Sequence, residues 1–246
     1  MNKLEGFPTV HYISLRESVD RRSKLENWFD SYDINYIPHI FDRVKNLERY
    51  DFSHTFPNMV KPIFISHFTT IRDWYFNTDE EYTIICEDDL SLETVKYWNF
   101  TWKEFQNKLP DNWQCVQLVV LRHVHMWEEP YDYKFTPREP LKRGHWGACA
   151  YLIKREYAEN LILKYNQLPY KFTLNLDISL EPDLEQVLFL DIHRRVYVFP
   201  LFVEDCYGLD TTRKNKPDEF QFYSHDYVIN WWKTVGRNLS LDQIFS

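Results

Sequence analysis

The sequence contains little glycine, and this argues against several nucleotide-binding signatures. Its 246 residues include five glycines, Gly6, Gly144, Gly147, Gly208 and Gly236. No GxGxxG sequence and no phosphate-binding loop can be assembled from them, and no G-x-S-x-G elbow is present. These absences weigh against a nicotinamide dehydrogenase, a P-loop enzyme and a glycine-loop nucleotidyltransferase.

Cysteines are also few, and long apolar runs are missing. Cys86, Cys115, Cys149 and Cys206 lie far apart, and no pair has the spacing of zinc ligands. They need not be bonded to one another, which favours a reducing compartment. The opening residues lack the apolar segment of a secretory signal, and no stretch approaches the roughly 20 apolar residues that span a bilayer. We therefore expect a cytoplasmic protein that is soluble or at most peripheral at a membrane.

Positive charge is in the minority, whereas aromatic residues are abundant. The net charge of -8 argues against a nucleic-acid partner, because phosphate backbones require clustered cations. Aromatics make up 18% of the chain, which predicts either a ring-rich core or a surface that binds sugars and bases. The segment WWKTVGRNL poses the same choice, between burial in the core and contact with a membrane that carries lipid-linked acceptors.

Predicted strands alternate with predicted helices along the chain. The strands are TVHYISL, INYIPHIF, EYTIIC, DNWQCVQLVVL, GHWGACAYLI and RRVYVFPLFVED. The helices are RESVDRRSKLENWFDSY with Ser18 or Asp20 as its cap, a segment after Pro62, VKYWNFTWKEFQNKL and KREYAENLILKYN. This alternation indicates an α/β fold with a mostly parallel central sheet flanked by helices. No convincing linker interrupts it, so residues 1–246 are expected to form one domain.

Three consecutive acids follow one predicted strand, in EYTIICEDDL. Like charges this close repel each other, so Glu87, Asp88 and Asp89 require a positive partner. In an extended segment Glu87 and Asp89 would point to one side and Asp88 to the other. Two carboxylates on one side predict a Mg²⁺ or Mn²⁺ site beyond the end of the strand. The alternative is a solvated loop or a helix N-terminus, where acidic residues are common.

Two histidines follow another predicted strand end. His123 and His125 come directly after QLVVL and an arginine. We expect them to be rim residues or acceptor contacts, with metal binding as the alternative.

Six stretches, in this order and spacing, together resemble one family across nearly the whole chain. They are YISLRESVDRRSKLENWF, IPHIFD, ISHFTTIRDW, YTIICEDDL, DNWQCVQL and GACAYLIKREYAENLI. The family is glycosyltransferase family 25, the lipooligosaccharide and collagen galactosyltransferases. The resemblance implies a single GT-A domain that binds a nucleotide sugar, a UDP-sugar in this interpretation, with Mn²⁺ or Mg²⁺.

The resemblance also implies roles for individual residues. Glu87 and Asp89 match the acids that bind the metal, and Asp88 would lie nearer the ribose or sugar. Nucleotide contacts are expected from the first two strands and the first helix, at Ser14, Leu15, Arg16, Arg22 and Asp42. Arg22 among these would lie near the diphosphate and Asp42 near the base. Ser66 and His67 match a Ser-His pair that supports the site. Apart from the resemblance, Asp205 and His225 are candidates to complete the metal shell from the C-terminal side.

The chain departs from the family pattern at two places. Ile63, Phe64 and Ile65 stand where the family has small residues before its Ser-His pair. The DNWQC stretch lacks the acid that commonly follows the tryptophan. Both departures concern details of the donor site and leave the acidic triplet in place.

Glycosyl transfer also needs a base and a surface for the sugar. The family is similar to inverting enzymes, in which a carboxylate removes the proton from the attacking hydroxyl. Asp177 is the first candidate for this base and Glu181 the second, and a helix N-cap is the alternative for Asp177. Trp146 and Gly147 are candidates to line the sugar site, and a core tryptophan is the alternative for Trp146.

Several functions and acceptors remain open at this point. The first hypothesis is a metal-dependent transferase of galactose or glucose, acting on a lipooligosaccharide, another glycan or a protein hydroxyl. The second is a GT-A-fold binding or scaffold protein that has lost turnover. A metal-dependent phosphoesterase is a third interpretation of the acidic triplet alone.

Overall fold

The computed structural model describes residues 2–43, 47–52, 61–122, 133–138, 146–172, 184–191, 193–206 and 219–246. The strands are β1 (Val10–Leu15), β2 (Tyr36–Phe41), β3 (Asp51–Phe52), β4 (Tyr82–Glu87), β5 (Leu90–Ser91), β6 (Cys115–Gln117), β7 (Thr136–Pro137), β8 (Ala150–Lys154), β9 (Lys171–Phe172), β10 (Val196–Val198) and β11 (Val203–Glu204). The α-helices are α1 (Val19–Ser31), α2 (Lys61–Asn77), α3 (Trp102–Lys108), α4 (Arg155–Tyr165), α5 (Leu184–Leu188), α6 (Glu219–Thr234) and α7 (Leu241–Ile244), with 3₁₀ turns at Leu47–Arg49, Glu93–Tyr97 and Gly236–Asn238.

A seven-stranded sheet in the order β2-β1-β4-β8-β6-β10-β7 organises the described residues. β1 pairs in parallel with β2 and β4, and β6 pairs in parallel with β10. β8 runs antiparallel to both β4 and β6, and β7 runs antiparallel to β10. Five of the seven strands therefore run in one direction. The predicted α/β fold with a mostly parallel sheet flanked by helices is confirmed.

Three predicted elements are shorter or divided, each for a local reason. The predicted helix VKYWNFTWKEFQNKL is a 3₁₀ turn and then α3, because Thr101 and Glu104 form a capping box that starts a new helix. The predicted strand RRVYVFPLFVED becomes β10 and β11, with Pro200 between them. Of the predicted strand DNWQCVQLVVL, only the β6 residues Cys115–Gln117 form a regular strand. Ser18 precedes α1 as expected, but its side chain makes no capping hydrogen bond.

Hydrophobic side chains cover both faces of the sheet. Tyr12 and Ile84 belong to one core cluster, and Ile13 and Ile85 belong to the other. This alternation follows from the period of a strand, and it buries the inner strands on both faces. α2, α4 and α5 pack on the Ile13 face. The Tyr12 face carries α1, α3 and α6.

The abundant aromatics mainly build this core. Trp98, Phe100 and Phe199 form ring contacts with Trp232 of α6. Trp231 is 5% exposed and Trp232 is fully buried. The tryptophans of WWKTVGRNL are therefore core residues, and the interpretation that they touch a membrane is wrong. Within the described ranges, no helix is long and apolar enough to cross a bilayer.

A buried histidine pair predicts a pH dependence of stability. His11 Nδ1 lies 2.9 Å from His39 Nε2, and in the part of the chain that the structure describes His11 Nε2 has no hydrogen-bond partner. Burial, and then the neighbouring His39, lowers the pKa of His11 to about 4. Between pH 6.5 and 4 the unfolded chain consequently binds the additional proton, so stability is lost as the pH falls through this window. By pH 5 we expect the pair to lower the free energy of unfolding by about 1–2 kcal/mol relative to pH 7.5.

Urea unfolding of the wild type and of His11→Asn at both pH values measures this contribution. The loss between pH 7.5 and pH 5 should be smaller in the variant, because the variant has no imidazole to protonate at this position. Equal losses in the two proteins would show that the pair does not govern acid stability.

Candidate active site

Three neighbouring parallel strands end at the same edge of the sheet. β2 ends at Phe41, β1 at Leu15 and β4 at Glu87. In α/β sheets, ligands bind beyond such carboxyl ends. Glu87, Asp88 and Asp89, called the acidic corner below, occupy this edge as predicted.

The three carboxylates do not share a side in the expected way. β4 ends at Glu87, and Asp88 and Asp89 form the turn into β5. The Glu87 carboxylate points to His67, with 3.2 Å between Oε1 and Nε2. Asp88 and Asp89 both turn to Arg21 instead. The prediction that Asp88 points away from Asp89 is wrong, because side chains alternate only while the strand continues.

Arg21 is the positive partner of the acidic corner within the described chain. Its Nη2 contacts Asp88 Oδ1 and lies 2.8 Å from Asp89 Oδ2, and its side chain is 11% exposed. Burial alone would lower the pKa of Arg21, but the carboxylates of Asp89, Asp88 and Glu87 outweigh it and raise the pKa. The family resemblance instead predicts that Arg22, the next residue, lies near the diphosphate.

Arg22 holds the end of β1. Its Nη1 donates to the carbonyl oxygen of Leu15 and, at 3.1 Å, to Ser14 Oγ. Its Nη2 donates to the carbonyl oxygen of Arg16 at 2.9 Å. Adjacent helix residues point about 100° apart, so one of two neighbouring arginines faces the acids and the other faces the strand end. A contact between Arg22 and the diphosphate stays a prediction.

Burial and repulsion between neighbouring carboxylates both raise the pKa values of Asp88 and Asp89. Ser14 Oγ donates to Asp88 Oδ2 at 2.6 Å, and Cys149 Sγ donates to Asp89 Oδ1 at 3.3 Å. Burial raises the pKa of Asp88, although Arg21 and Ser14 oppose the shift. Burial, joined by the charges of Glu87 and Asp88, raises the pKa of Asp89 to about 7 against the opposing charge of Arg21. Two aspartates with raised pKa at a strand end make this edge a candidate functional site.

Acids from the C-terminal part complete this edge. β11 pairs with β5, and the Asp205 amide donates to the carbonyl oxygen of Asp89 at 2.5 Å. The Asp205 carboxylate pairs with Lys24 of α1. Burial, and then the charges of Asp89 and Glu87, raises the pKa of Glu204 well above its usual range. Glu204 was missed in the sequence, although LFVED resembles the triplet as an apolar run that ends in acids.

His225 also lies near this edge. Its Nδ1 is 2.9 Å from the carbonyl oxygen of Glu204, and its Nε2 is 3.9 Å from Glu93 Oε2. Asp205 and His225, both predicted for a metal shell, therefore approach the acidic corner while contacting Lys24 and Glu204.

A buried polar brace holds the predicted sugar-site residues. The Gly147 amide donates to Glu185 Oε1 at 2.9 Å. Gln117 Nε2 donates to the carbonyl oxygens of Trp146 and Gly147, at 3.0 and 2.8 Å, and Arg138 Nε donates to Gln117 Oε1 at 3.1 Å. The chain then enters β8 beside the acidic corner, where the Glu87 amide donates to the carbonyl oxygen of Cys149 at 2.7 Å. Trp146 is half-buried and Gly147 is buried.

Gly147→Ala should damage this brace. Gly147 has a φ of +103°, and an added Cβ would lie 3.3 Å from Leu121 Cγ and 3.4 Å from the carbonyl oxygen of Val119. Backbone strain of this kind costs about 1–3 kcal/mol. We expect a corresponding loss in urea unfolding and a higher KM for donor in a transfer assay. Gly6→Ala is the matched control, since Gly6 has a φ of +77° with no atom near the added Cβ. Equal KM values for the two variants would contradict a role for the brace in the site.

The remaining predicted nucleotide contacts lie at the same edge. Leu15 ends β1 half-buried, and Arg16 Nε donates to Asp42 Oδ1 at 2.7 Å across the ends of β1 and β2. Both charged side chains are largely exposed, at 67% and 73%, so they are accessible to a ligand.

The Ser-His pair lies in α2. Ser66 Oγ donates to the carbonyl oxygen of Ile63, whereas His67 contacts Glu87 and, through Nδ1 at 3.1 Å, the Tyr151 hydroxyl. His67 thus orients a carboxylate of the acidic corner, in agreement with the supporting role expected for it. Phe64, at the departure from the family pattern, is buried in the core.

Four predicted residues lie outside the described residues. They are the base candidates Asp177 and Glu181 and the histidines His123 and His125.

The carboxylate side chains of the acidic corner are chemically suited to bind a divalent cation. No group of three or more His, Cys, Asp or Glu residues is gathered as a metal-ligand set in the part of the chain that the structure describes. Carboxylate oxygens are nevertheless the ligands that Mg²⁺ and Mn²⁺ prefer. The Arg21 guanidinium between Asp88 and Asp89 shows that these carboxylates bind positive charge. Glu87 and Asp89 would be the residues that hold the metal.

Comparison with known protein families matches more than half of the chain. The model of glycosyltransferase family 25, described as an LPS biosynthesis protein family, matches residues 7–180. The chain belongs to glycosyltransferase family 25. The match runs from before β1 to beyond α4 and includes Arg21, the acidic corner and Gly147. No curated protein gives a significant match.

Two solved glycosyltransferase structures match this family 25 chain at low sequence identity and low TM-score. A glycosyltransferase involved in glycosylation of the major capsid of PBCV-1 is 9% identical, with a TM-score of 0.44 over 78% of this chain and 83% of that one. The glycosyltransferase GlyE of Streptococcus pneumoniae is 8% identical, with a TM-score of 0.37 over 94% of this chain and 64% of that one. The family assignment therefore rests on the sequence match.

Proposed function

We propose that this family 25 glycosyltransferase transfers a hexose, galactose or glucose, from a UDP-sugar to a hydroxyl group with inversion at the anomeric carbon. The observation that carries the proposal is the acidic corner, which lies at the carboxyl ends of β1 and β4 and is balanced by Arg21. In nucleotide-sugar transfer, negative charge develops on the leaving diphosphate, and charged groups of the site must stabilise it. In α/β sheets such a ligand binds at the carboxyl ends of the strands, which is where the acidic corner lies.

The donor would lie across the ends of β1, β2 and β4. Ser14 and Leu15 would underlie the nucleotide, and the exposed Arg16–Asp42 pair would flank the base. Asp88, held by Ser14 and Arg21, would face the ribose or sugar. The fixed backbone of Trp146 and Gly147 would limit the space for the hexose.

Breaking the glycosidic bond places negative charge on the diphosphate. A divalent cation bound by Glu87 and Asp89 would supply charge neutralisation at the leaving group. His67 keeps the Glu87 carboxylate oriented, and Cys149 does the same for Asp89. Lys24 of α1, partly exposed beside Asp205, adds a cation near the same edge.

The acceptor hydroxyl must lose its proton as it attacks. Asp177 is the proposed base and Glu181 the second candidate. Either carboxylate would have to come within hydrogen-bond distance of the hydroxyl to remove its proton. The LPS-biosynthesis description of the family favours a glycan acceptor, with lipid-linked glycans and protein hydroxyls as further candidates. Contact with a membrane would then be peripheral.

Calorimetric titration of uridine diphosphate, with Mn²⁺ and then with a chelator, tests the donor site. Transfer assays with UDP-galactose and UDP-glucose identify the sugar. Binding that requires Mn²⁺, with turnover of one donor, supports the proposal. Binding without hydrolysis or transfer would favour the scaffold interpretation, and no binding in any condition would reject the donor site.

A further inference from the structure

The acidic corner already contains a cation supplied by the chain. We infer that Arg21 is an exchangeable counter-ion of Asp88 and Asp89, and that it must leave these carboxylates when a divalent metal binds. The inference rests on the proposed function, because it assumes that the acidic corner takes the metal.

The contacts of Arg21 make simultaneous occupancy unfavourable. A single nitrogen, Nη2, contacts Asp88 Oδ1 and Asp89 Oδ2 together. Oxygen ligands bind Mg²⁺ or Ca²⁺ at about 2.0–2.6 Å, so a metal on the Asp89 oxygen that Nη2 contacts would lie within roughly 5 Å of this nitrogen. Two positive charges at that separation repel strongly at a buried site. The guanidinium and the metal would therefore compete for the Asp89 carboxylate.

Contacts of the neighbouring residue hold the start of α1 independently of the Arg21 guanidinium. Arg22, the next residue of α1, is bonded to the carbonyl oxygens of Leu15 and Arg16 and so holds the start of the helix. The Arg21 Nε atom has no hydrogen-bond partner among the described residues. Movement of the guanidinium thus breaks its contacts with Asp88 and Asp89 and leaves the bonds of Arg22 intact.

A released guanidinium would stay beside the donor. Guanidinium groups bind phosphate oxygens with two parallel hydrogen bonds. Arg21 would therefore have two successive partners, the aspartates before loading and the diphosphate afterwards. In this role it is a positioning residue for the carboxylates, and it couples metal entry to donor binding.

Mn²⁺ binding to the purified full chain, followed by electron paramagnetic resonance, tests the exchange. Arg21→Gln removes the competing charge, so its affinity for Mn²⁺ should rise at least about tenfold over the wild type. Arg21→Lys keeps the charge on a more flexible stem and should give an intermediate gain. Arg43→Gln is the matched control and should bind as the wild type does, because Arg43 pairs with Glu17 at the exposed surface. Equal or weaker binding by Arg21→Gln would overturn the inference.

Thermal unfolding provides a second readout. Without Mn²⁺, Arg21→Gln should melt at a lower temperature than the wild type, because two buried carboxylates lose their partner. Saturating Mn²⁺ should raise its Tm by more than it raises that of the wild type. If Arg21→Gln is too unstable to purify, Arg21→Lys replaces it in both measurements. The inference is then overturned if Arg21→Lys binds Mn²⁺ no more tightly than the wild type and gains no more Tm from it.

Failure of the exchange can be distinguished from failure of the proposed function. If uridine diphosphate binds and a sugar is transferred in chelator, with no Mn²⁺ signal, the exchange is wrong and the transferase remains. If uridine diphosphate binds under no condition, the donor site itself is wrong.

Discussion

Asp89→Asn should reduce kcat/KM for glycosyl transfer by a factor on the order of 10²–10³, with little change in the fold. The substitution removes one charge from the acidic corner and keeps the size of the side chain. Burial disfavours the charged form of Asp89 even in the native protein, which raises its pKa to about 7. Arg21 keeps Asp88 as a partner in this variant, so loss of the Asp89 charge is expected to be costly for function and inexpensive for folding.

Steady-state transfer kinetics and Tm, measured on the same preparations, separate these two effects. Asp111→Asn is the matched control, because Asp111 is an exposed residue in the loop after α3. The control should match the wild type in both measurements. Full activity of Asp89→Asn would show that Asp89 has no part in charge stabilisation and would leave Glu87 and Glu204 as the acids to test.

The position of the acidic corner was predictable from sequence because it depends on chain order. An apolar run that ends in acids places those acids at a strand end, and parallel strands end at the same edge. The partners of these acids were not predictable to the same degree. Arg21 and Arg22 have the same chemistry, and the phase of α1 decides which one faces Asp88 and Asp89.

Contacts between segments that are distant in the chain could not be predicted from the sequence either. Glu204 reaches the acidic corner because β11 pairs with β5, and this two-residue pairing leaves almost no periodic signal. Glu185 bonds the Gly147 amide across 38 positions of the chain. Neither residue belongs to a local motif, so their roles depend on tertiary structure.

The tryptophans of WWKTVGRNL illustrate the same limit, and they give the largest expected effect on stability. The segment mixes rings and cations, which suits either a membrane surface or a core. In the structure Trp232 is fully buried, contacts Trp98, Phe100 and Phe199, and donates from Nε1 to the carbonyl oxygen of Pro200 at 2.9 Å. Packing of α6 against the sheet, which no local pattern encodes, decides between the two.

Trp232→Ala should therefore lower the free energy of unfolding by about 3–5 kcal/mol, as large-to-small core substitutions do. Trp232→Phe keeps a ring, but it loses the hydrogen bond and leaves the carbonyl of Pro200 unpaired, which costs about 1–3 kcal/mol. Tyr223→Ala on the same helix is the matched control, because Tyr223 is 51% exposed and its loss should cost far less. Urea unfolding of the three variants measures the order. If Trp232→Ala and Tyr223→Ala proved equally stable, α6 would not be part of the core, and its tryptophans would again be candidates for a surface that binds an acceptor.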